Sequence, residues 1–358
     1  MKYCTRCCMP STVEGAKFDA DGVCQACLSF DQKKEIDWTA REVELRRILE
    51  HYQSLGNPYD CIVPISGGKD STFQLHVITK VYGLKALAVT FSHNWFSEVG
   101  KKNLDNALEK FDVDHIMWTP KRSLVNRLAR ESLFQIGDAC WHCHAGVGAF
   151  PLQVAVKWQI PLLVWGESIA EASGRATYDE PGQKFDREYF LKQSAKKTPE
   201  EMTNIHYPPN MMIDIKEMGA FQLPTQKAFD EAEVVGIHLG DYINWDVERQ
   251  VEFIKSEYGW LEDDVEGTYK RYKSVECKMA GVHDYLNYLK RGYGRASIHA
   301  SEDVRAGRLT RDEGFALAEK HDSVKPNAMW EYYNITHLNE CDVTRTMDTF
   351  KNKVNKVE

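Results

Sequence analysis

From Tyr59 to Trp165, short apolar runs alternate with longer segments in which apolar residues recur every three or four positions. The runs Cys61 to Ile65, Ala86 to Phe91, His115 to Thr119 and Pro161 to Trp165 read as strands. Ser71 to Tyr82, Lys101 to Phe111, Ser123 to Gln135 and Gly146 to Trp158 read as helices. That alternation predicts an α/β fold, a parallel sheet with helices on both faces. Right-handed crossovers would bring the strand C-terminal ends to one edge, the usual place for a ligand. Before the sheet, Lys33 to Leu55 carries a helical pattern that Asn57-Pro58 ends. After it, residues 175–225 are rich in charge, Pro and Gly and read as irregular, a lid over the site. From Trp245 to about Tyr333 helical patterning dominates, with a break at Gly292-Tyr293-Gly294-Arg295. The expected organisation is a small module over 1–32, a helical linker over 33–58, the sheet domain over 59–240 and a mostly helical region over 241–358. No internal repeat or low-complexity tract interrupts it.

Composition changes this picture little. The 358 residues are 43% hydrophobic and 27% charged, with a formal net charge of -8. An acidic chain has no global basic footprint, so no nucleic-acid partner is expected. Lys192, Lys196 and Lys197, and likewise Lys270, Arg271 and Lys273, read as solvated faces. The amino terminus opens into polar sequence, and the apolar runs are too short to span a bilayer, so a cytoplasmic protein with no membrane association is expected. In a reducing compartment, ten cysteines point to metal or redox chemistry more than to disulfides.

Two C-x2-C pairs, Cys4/Cys7 and Cys24/Cys27, stand sixteen residues apart, the spacing of a four-cysteine structural zinc site. The segment between them holds turn residues and almost no apolar periodicity, so a metal would have to keep it folded. Cys8, beside Cys7, leaves the ligand register open by one position. A third pair, Cys140-Trp141-His142-Cys143-His144, falls between the third and fourth helices of the sheet domain. Cys61, in a strand, and Cys341, near the carboxyl terminus, read as structural.

The first strand ends in Ser66-Gly67-Gly68-Lys69-Asp70-Ser71. Glycines there free backbone N-H groups at a helix start to wrap phosphate oxygens, and Ser66 and Ser71 add hydroxyl donors. Lys69 supplies positive charge, and Asp70 could hold Mg2+ against phosphates. A plain Gly-Gly turn would explain the glycines but not the Lys-Asp pair. No G-x-G-x-x-G follows that strand and no G-x4-G-K-[ST] occurs, which disfavours dinucleotide and Walker-type sites. At the end of the fourth strand, Gly166-Glu167-Ser168 falls where a nucleotide would lie.

The hexapeptide after an apolar strand resembles the signature of the PP-loop ATP pyrophosphatases, which cut ATP between the α- and β-phosphates. Residues 65–108 ("ISGGKDSTFQLHVITK…"), 138–168 ("DACWHCHAGVGAF…WGES") and 291–314 ("RGYGRASIHASEDVRAGRLTRDEG") together look like the N-acetyl sugar amidotransferase family, the WbpG and PseA type of bacterial surface-polysaccharide and flagellin-glycan pathways. The resemblance runs over most of the chain. It implies that ATP and ammonia convert the acetamido group of a nucleotide-activated N-acetyl sugar to an acetamidino group through an O-adenylyl imidate. It also implies that ammonia comes from a glutaminase partner resembling that of imidazole glycerol phosphate synthase.

Cys140 and Cys143 resemble the pair that, in tRNA thiolases of the superfamily, joins a distant cysteine to hold a 4Fe-4S iron-sulfur cluster, with Cys277 as the third ligand here. A second zinc using His142 or His144, or a packed thiol pair, are the alternatives. Arg291, Arg295, His299 and Arg305 are candidates for the diphosphate of the sugar nucleotide. Two other readings use the same residues: a tRNA thiolase, which should present a basic face, and a zinc-containing nucleotide-binding scaffold without turnover.

Overall fold

The computed structural model describes residues 1–168, 170, 178, 196–203 and 211–354. Five strands form one wholly parallel sheet: β1 (Cys61–Pro64), β2 (Ala86–Phe91), β3 (Asp114–Trp118), β4 (Leu162–Trp165) and β5 (Val235–His238), in the order β3-β2-β1-β4-β5. Every residue of β1 and β2 is buried, as apolar runs covered on both faces require. The edge strand β3 is half exposed. The fifth strand was not expected. Its four residues, Val-Gly-Ile-His, are too short for a period, and only their pairing with β4 makes them a strand.

The helices in chain order are α1 (Gln25–Glu35), α2 (Trp38–Ser54), α3 (Lys69–Leu75), α4 (Glu98–Phe111), α5 (Arg122–Ile136), α6 (Trp141–Trp158), α7 (Pro199–Met202), α8 (Gln226–Glu231), α9 (Val247–Tyr258), α10 (Ala280–Arg291), α11 (Arg295–Arg305), α12 (Arg311–Asp322), α13 (Ala328–Thr336) and α14 (Glu340–Val354). A π-helical turn, His76–Val81, continues α3. The pattern from Lys33 to Leu55 divides at Asp37, whose carboxylate accepts from the N-H groups of Thr39 and Ala40 and so starts α2. Helix α6 begins at Trp141, five residues before its expected start, because burial of Trp141 and His142 places its first turn inside the protein. Only glycine fits at 146 in this helix: a Cβ there would lie 2.3 Å from the Phe91 ring on β2.

One core lies between the sheet and α5 and α6, around Leu87, Phe91, Leu152 and Leu163. The other lies between the sheet and α2, α3 and α4, around Leu45, Val63, Ile78 and Leu104. The expected α/β sheet with helices on both faces is therefore the fold, followed by a mostly helical region. Within that region, residues 259–279 are not helical. They run back across the strand C-terminal edge: the Ser97 N-H donates to the Glu276 carbonyl at 3.0 Å and the Lys278 N-H to the Trp95 carbonyl at 2.9 Å. The lid expected over 175–225 falls mostly outside the described residues, as does Lys192; within that stretch, α7 and a 3-10 turn at Ile215–Phe221 are regular. No helix among the described residues is long and apolar enough to cross a membrane.

Candidate functional site

The loop after β1 and the turn after β4 emerge side by side. Chain order reverses between these two strands, the position at which open α/β sheets bind ligands. Gly67 adopts φ +78°, and a Cβ there would lie 2.5 Å from the Gly100 carbonyl oxygen, so the turn depends on glycine. Its carbonyl accepts from Trp260 Nε1 at 3.0 Å, and the Gly68 carbonyl accepts from Ser71 Oγ at 3.1 Å and Thr72 Oγ1 at 3.0 Å. The carbonyls are thereby turned into the protein at the start of α3. Asp70 pairs with Lys69 through one carboxylate oxygen, and the other is buried without a hydrogen-bond partner. A buried carboxylate oxygen with no donor is suited to a cation.

The loop opens into a cavity of about 360 Å3. Its lining combines apolar residues, Val89, Phe91, Val147 and Trp165, with the polar and charged residues Ser66, Gly68, Lys69, Asp70, Ser71, Glu167, Arg295 and His299. Of the residues singled out from the sequence, Gly67, Gly166 and Ser168 do not line it. Gly166 packs against Gln74 and Trp245, and Ser168 is buried with its Oγ accepting from the Ala170 N-H. Arg291 is also elsewhere: it donates to the Thr12 carbonyl at 3.0 Å and holds the amino-terminal module on α10. Arg305 faces Cys7 Sγ at 3.8 Å.

The returning segment brings residues that the sequence did not flag: Tyr272, Lys273 and Glu276 line the same cavity. The reading of Lys270 and Lys273 as a solvated face is corrected here. Their side chains are each 12% exposed, Lys270 between Glu248 and Asp303, and Lys273 against Glu302. Only Arg271, 50% exposed, fits that expectation. Burial lowers the Lys273 pKa, but Glu302, Glu167 and Asp70 outweigh it, so the amine is held charged. Burial raises the Asp70 carboxyl, while Lys69 and then Lys273 pull it below the usual carboxylate range. For Glu167 burial wins: its carboxyl is pushed up to about 7, with Lys273 opposing and Asp70 adding to the rise. Burial, followed by the neighbouring cations Lys273 and Arg295, keeps His299 neutral, and its Nδ1 shares a 2.6 Å hydrogen bond with Thr268 Oγ1. The cavity thus combines fixed cations, an ionised carboxylate and a carboxyl poised near neutrality. Such an arrangement can neutralise phosphate charge and exchange a proton within one cavity.

Cys140 caps α6, Cys143 lies in its first turn, and Cys277 sits on the returning segment beside Phe96. Burial raises the Cys140 thiol first, and Asp138, Cys143 and Cys277 add to it in turn, but the three sulfurs are not among the sets of ligand atoms that lie within 4.8 Å of one another in the described residues. Asp138 accepts from the Cys140 N-H at 3.1 Å and shares a 2.8 Å contact with His283 Nδ1. The ligand atoms of Asp138, Cys140 and His283 all lie within 4.8 Å of one another, a convergence absent from the sequence reading. Cys61 is fully buried in β1, whereas Cys341 is exposed, so the structural reading suits only the former.

At the amino terminus, the sulfurs of Cys4, Cys7, Cys24 and Cys27 lie within 4.8 Å of one another, with Cys4 to Cys27 at 3.9 Å and Cys7 to Cys24 at 3.7 Å. A tetrahedron with metal-sulfur bonds of about 2.3 Å has edges of about 3.8 Å. The four thiols can therefore hold a metal ion such as zinc. The N-H groups of Arg6 and Cys24 point at Cys4 Sγ, at 3.4 and 3.3 Å, and that of Met9 at Cys7 Sγ, at 3.4 Å. Cys8 stands outside the set, its thiol directed at the Arg311 carbonyl. The module is docked as well as knotted: Arg311 donates to the carbonyls of Cys7 and Cys4 at 3.2 and 3.0 Å.

Comparison with known proteins locates a similarity in the helical region. Residues 266–356 match the family described as "LPS biosynthesis protein WbpG-like, C-terminal domain", which points to an enzyme of polysaccharide biosynthesis. The chain is also 26% identical over 97 residues to the uncharacterized protein MJ1599 of Methanocaldococcus jannaschii, a stretch covering 27% of this chain and about a third (35%) of that relative.

Proposed function

We propose that the protein is an ATP-dependent amidotransferase that converts the N-acetyl group of a nucleotide-activated sugar to an acetamidino group. The observation that carries this reading is the convergence, at the sheet's switch point, of the loop 66–71 with Glu167, Lys273 and Arg295, the last two brought by the region similar to the WbpG-like domain. In this reading the base of ATP packs on the apolar lining residues, Ser66 to Ser71 and Lys273 hold the phosphates, and Asp70 would hold Mg2+. The acetamido oxygen attacks the α-phosphate and pyrophosphate leaves. Ammonia, supplied by a glutaminase partner, then adds to the imidate carbon. AMP departs with the former carbonyl oxygen, leaving the amidine. Glu167 accepts a proton from the attacking nitrogen, while Arg295 and His299 meet the acceptor. Cys4, Cys7, Cys24 and Cys27 bind structural zinc. Cys140, Cys143 and Cys277 would be the ligands of a 4Fe-4S cluster, which would supply a Lewis-acidic iron.

The test is mass spectrometry of UDP-N-acetylhexosamines after incubation with the protein, ATP, Mg2+ and ammonium. Replacement of oxygen by NH, with one AMP and one pyrophosphate formed per product, is expected. Replacement of oxygen by sulfur would instead favour thiolation, and release of ADP would overturn the pyrophosphatase reading.

A further inference from the structure

The loop cavity, at about 360 Å3, is not the largest in the molecule. A second cavity of about 590 Å3 lies between the cysteine module and the carboxyl-terminal helices. Both volumes are within the range of small-molecule sites, but a nucleoside diphosphate sugar is larger than ATP, and the smaller cavity cannot take both. The two cavities share two residues, Glu167 and Tyr272, so a ligand filling one can extend a group into the other.

The walls of the larger cavity have the chemistry of a sugar nucleotide site. Phe30, Trp38 and Tyr272 present rings on which a base or a sugar C-H face can stack. Lys34 on α1 and Arg308 beyond α11 add cations to the lining, and Glu302 offers hydroxyl-binding oxygens. The side chains of Lys34 and Arg308 are 61% and 44% exposed, paired with Asp31 and Asp303, and are accessible to an incoming diphosphate. Tyr272, Glu302, Arg305 and Arg308 all belong to the stretch similar to the WbpG-like domain. The nucleotide loop lies outside that stretch. The stretch similar to the polysaccharide-biosynthesis domain therefore contributes to both cavities, and in the larger one it faces α1 and Trp38 in place of the nucleotide loop.

We infer that the larger cavity is the acceptor site, which binds a nucleoside diphosphate N-acetylhexosamine and passes its acetamido group between Glu167 and Tyr272 to the nucleotide loop. This rests on the amidotransferase reading for the identity of the acceptor. It also gives the cysteine module a second task, because α1, which begins directly after Cys24, supplies one wall.

The test uses the full chain, with UDP-N-acetylglucosamine and UDP-N-acetylgalactosamine as acceptor probes and α,β-methylene-ATP as the nucleotide probe, measured by titration calorimetry. In Lys34→Ala, Arg308→Ala and Trp38→Ala, acceptor affinity should fall about tenfold or more, while nucleotide affinity changes less than about twofold. The two exposed charged positions guard against a folding artefact, and a melting curve for each variant checks it. Acceptor affinity unchanged in all three variants, competition between acceptor and nucleotide for one site, or no binding of either acceptor at millimolar concentration would each overturn the proposal. Failure of the amidotransferase reading is read separately, as absence of AMP when the wild-type protein is given ATP, Mg2+ and ammonium with a saturating acceptor.

Discussion

The cysteine module and the nucleotide loop cavity are built by opposite strategies. The module draws its four sulfurs from the first 27 residues, and two short turns are enough to bring them together. The cavity draws on the loop at 66–71, on Glu167 and on residues 272–299, which only the completed sheet and the returning segment make neighbours. A site assembled locally depends on its ligand for stability. One assembled by the whole fold depends on the fold, and its residues can be exchanged with a loss of chemistry more than of stability. Perturbing each site should reveal that difference.

The largest effect is expected at the module. Treating the protein with a chelator, or replacing Cys24 by Ser, should take away metal binding, the main interaction expected to offset the entropy of a segment with almost no core of its own. Metal binding in small cysteine modules is worth on the order of 10 kcal/mol of folding free energy. Loss should reach beyond the module, because Arg311 on α12 and Arg291 on α10 are hydrogen bonded to its carbonyls. A fall in melting temperature of more than about 10 °C by calorimetry is expected. An unchanged melting curve would remove the contrast between the two sites.

The opposite behaviour is expected of Asp70→Ala. The side chain stands in a turn and contributes little to either core, yet one of its oxygens is buried and unpartnered beside Lys69. AMP formation should fall about 10³-fold, with stability changed by less than about 1 kcal/mol. Activity retained within a factor of two would mean that the loop does not handle the phosphates.

The same contrast explains what could be read in advance. The sheet and its first four strands were legible, because buried parallel strands are continuous apolar runs. The four module cysteines were legible from spacing alone, and the loop from its glycines and Lys-Asp pair. Strand β5 was not, since four residues carry no period. Lys273 was misread for a related reason: beside Lys270 and Arg271 it looks like one charge in a solvated run, and only its opposition to Glu302 across the fold shows it to be buried. The residues between α9 and α10 have no regular pattern, so nothing local marks Tyr272, Lys273 or Glu276 as site residues. Asp138 and His283 illustrate the same limit, as each acquires significance only from Cys140.

A smaller effect should follow from loosening the loop without touching its functional groups. Trp260, 2% exposed, donates its indole N-H to the Gly67 carbonyl at 3.0 Å. Trp260→Phe preserves most of the packing and leaves that buried carbonyl unsatisfied, at a cost of about 1–3 kcal/mol. The KM for ATP should rise several-fold more than kcat falls, because the turn is less prepared to receive phosphate. An equal change in both would place the indole's role in the chemical step.

The smallest expected effect lies at Glu167, and its sign separates a cavity formed by the fold from one formed by its ligand. Burial pushes this carboxyl from an ordinary 4.5 up to about 7 in the folded protein. Between those two pH values the folded chain holds a proton that the unfolded chain has released, so the folded state binds more protons and stability falls as pH rises. The contribution is fully present below pH 4.5 and is lost as pH passes about 7. After allowance for the solvent that reaches this partly exposed side chain, the loss is about 1–2 kcal/mol. Glu167→Gln cannot ionise, so denaturant titrations across this range should show the wild type losing that much stability relative to the variant. Parallel curves would mean that the carboxyl is ionised throughout, and Glu167 would then no longer be suited to take a proton from the attacking nitrogen near neutral pH.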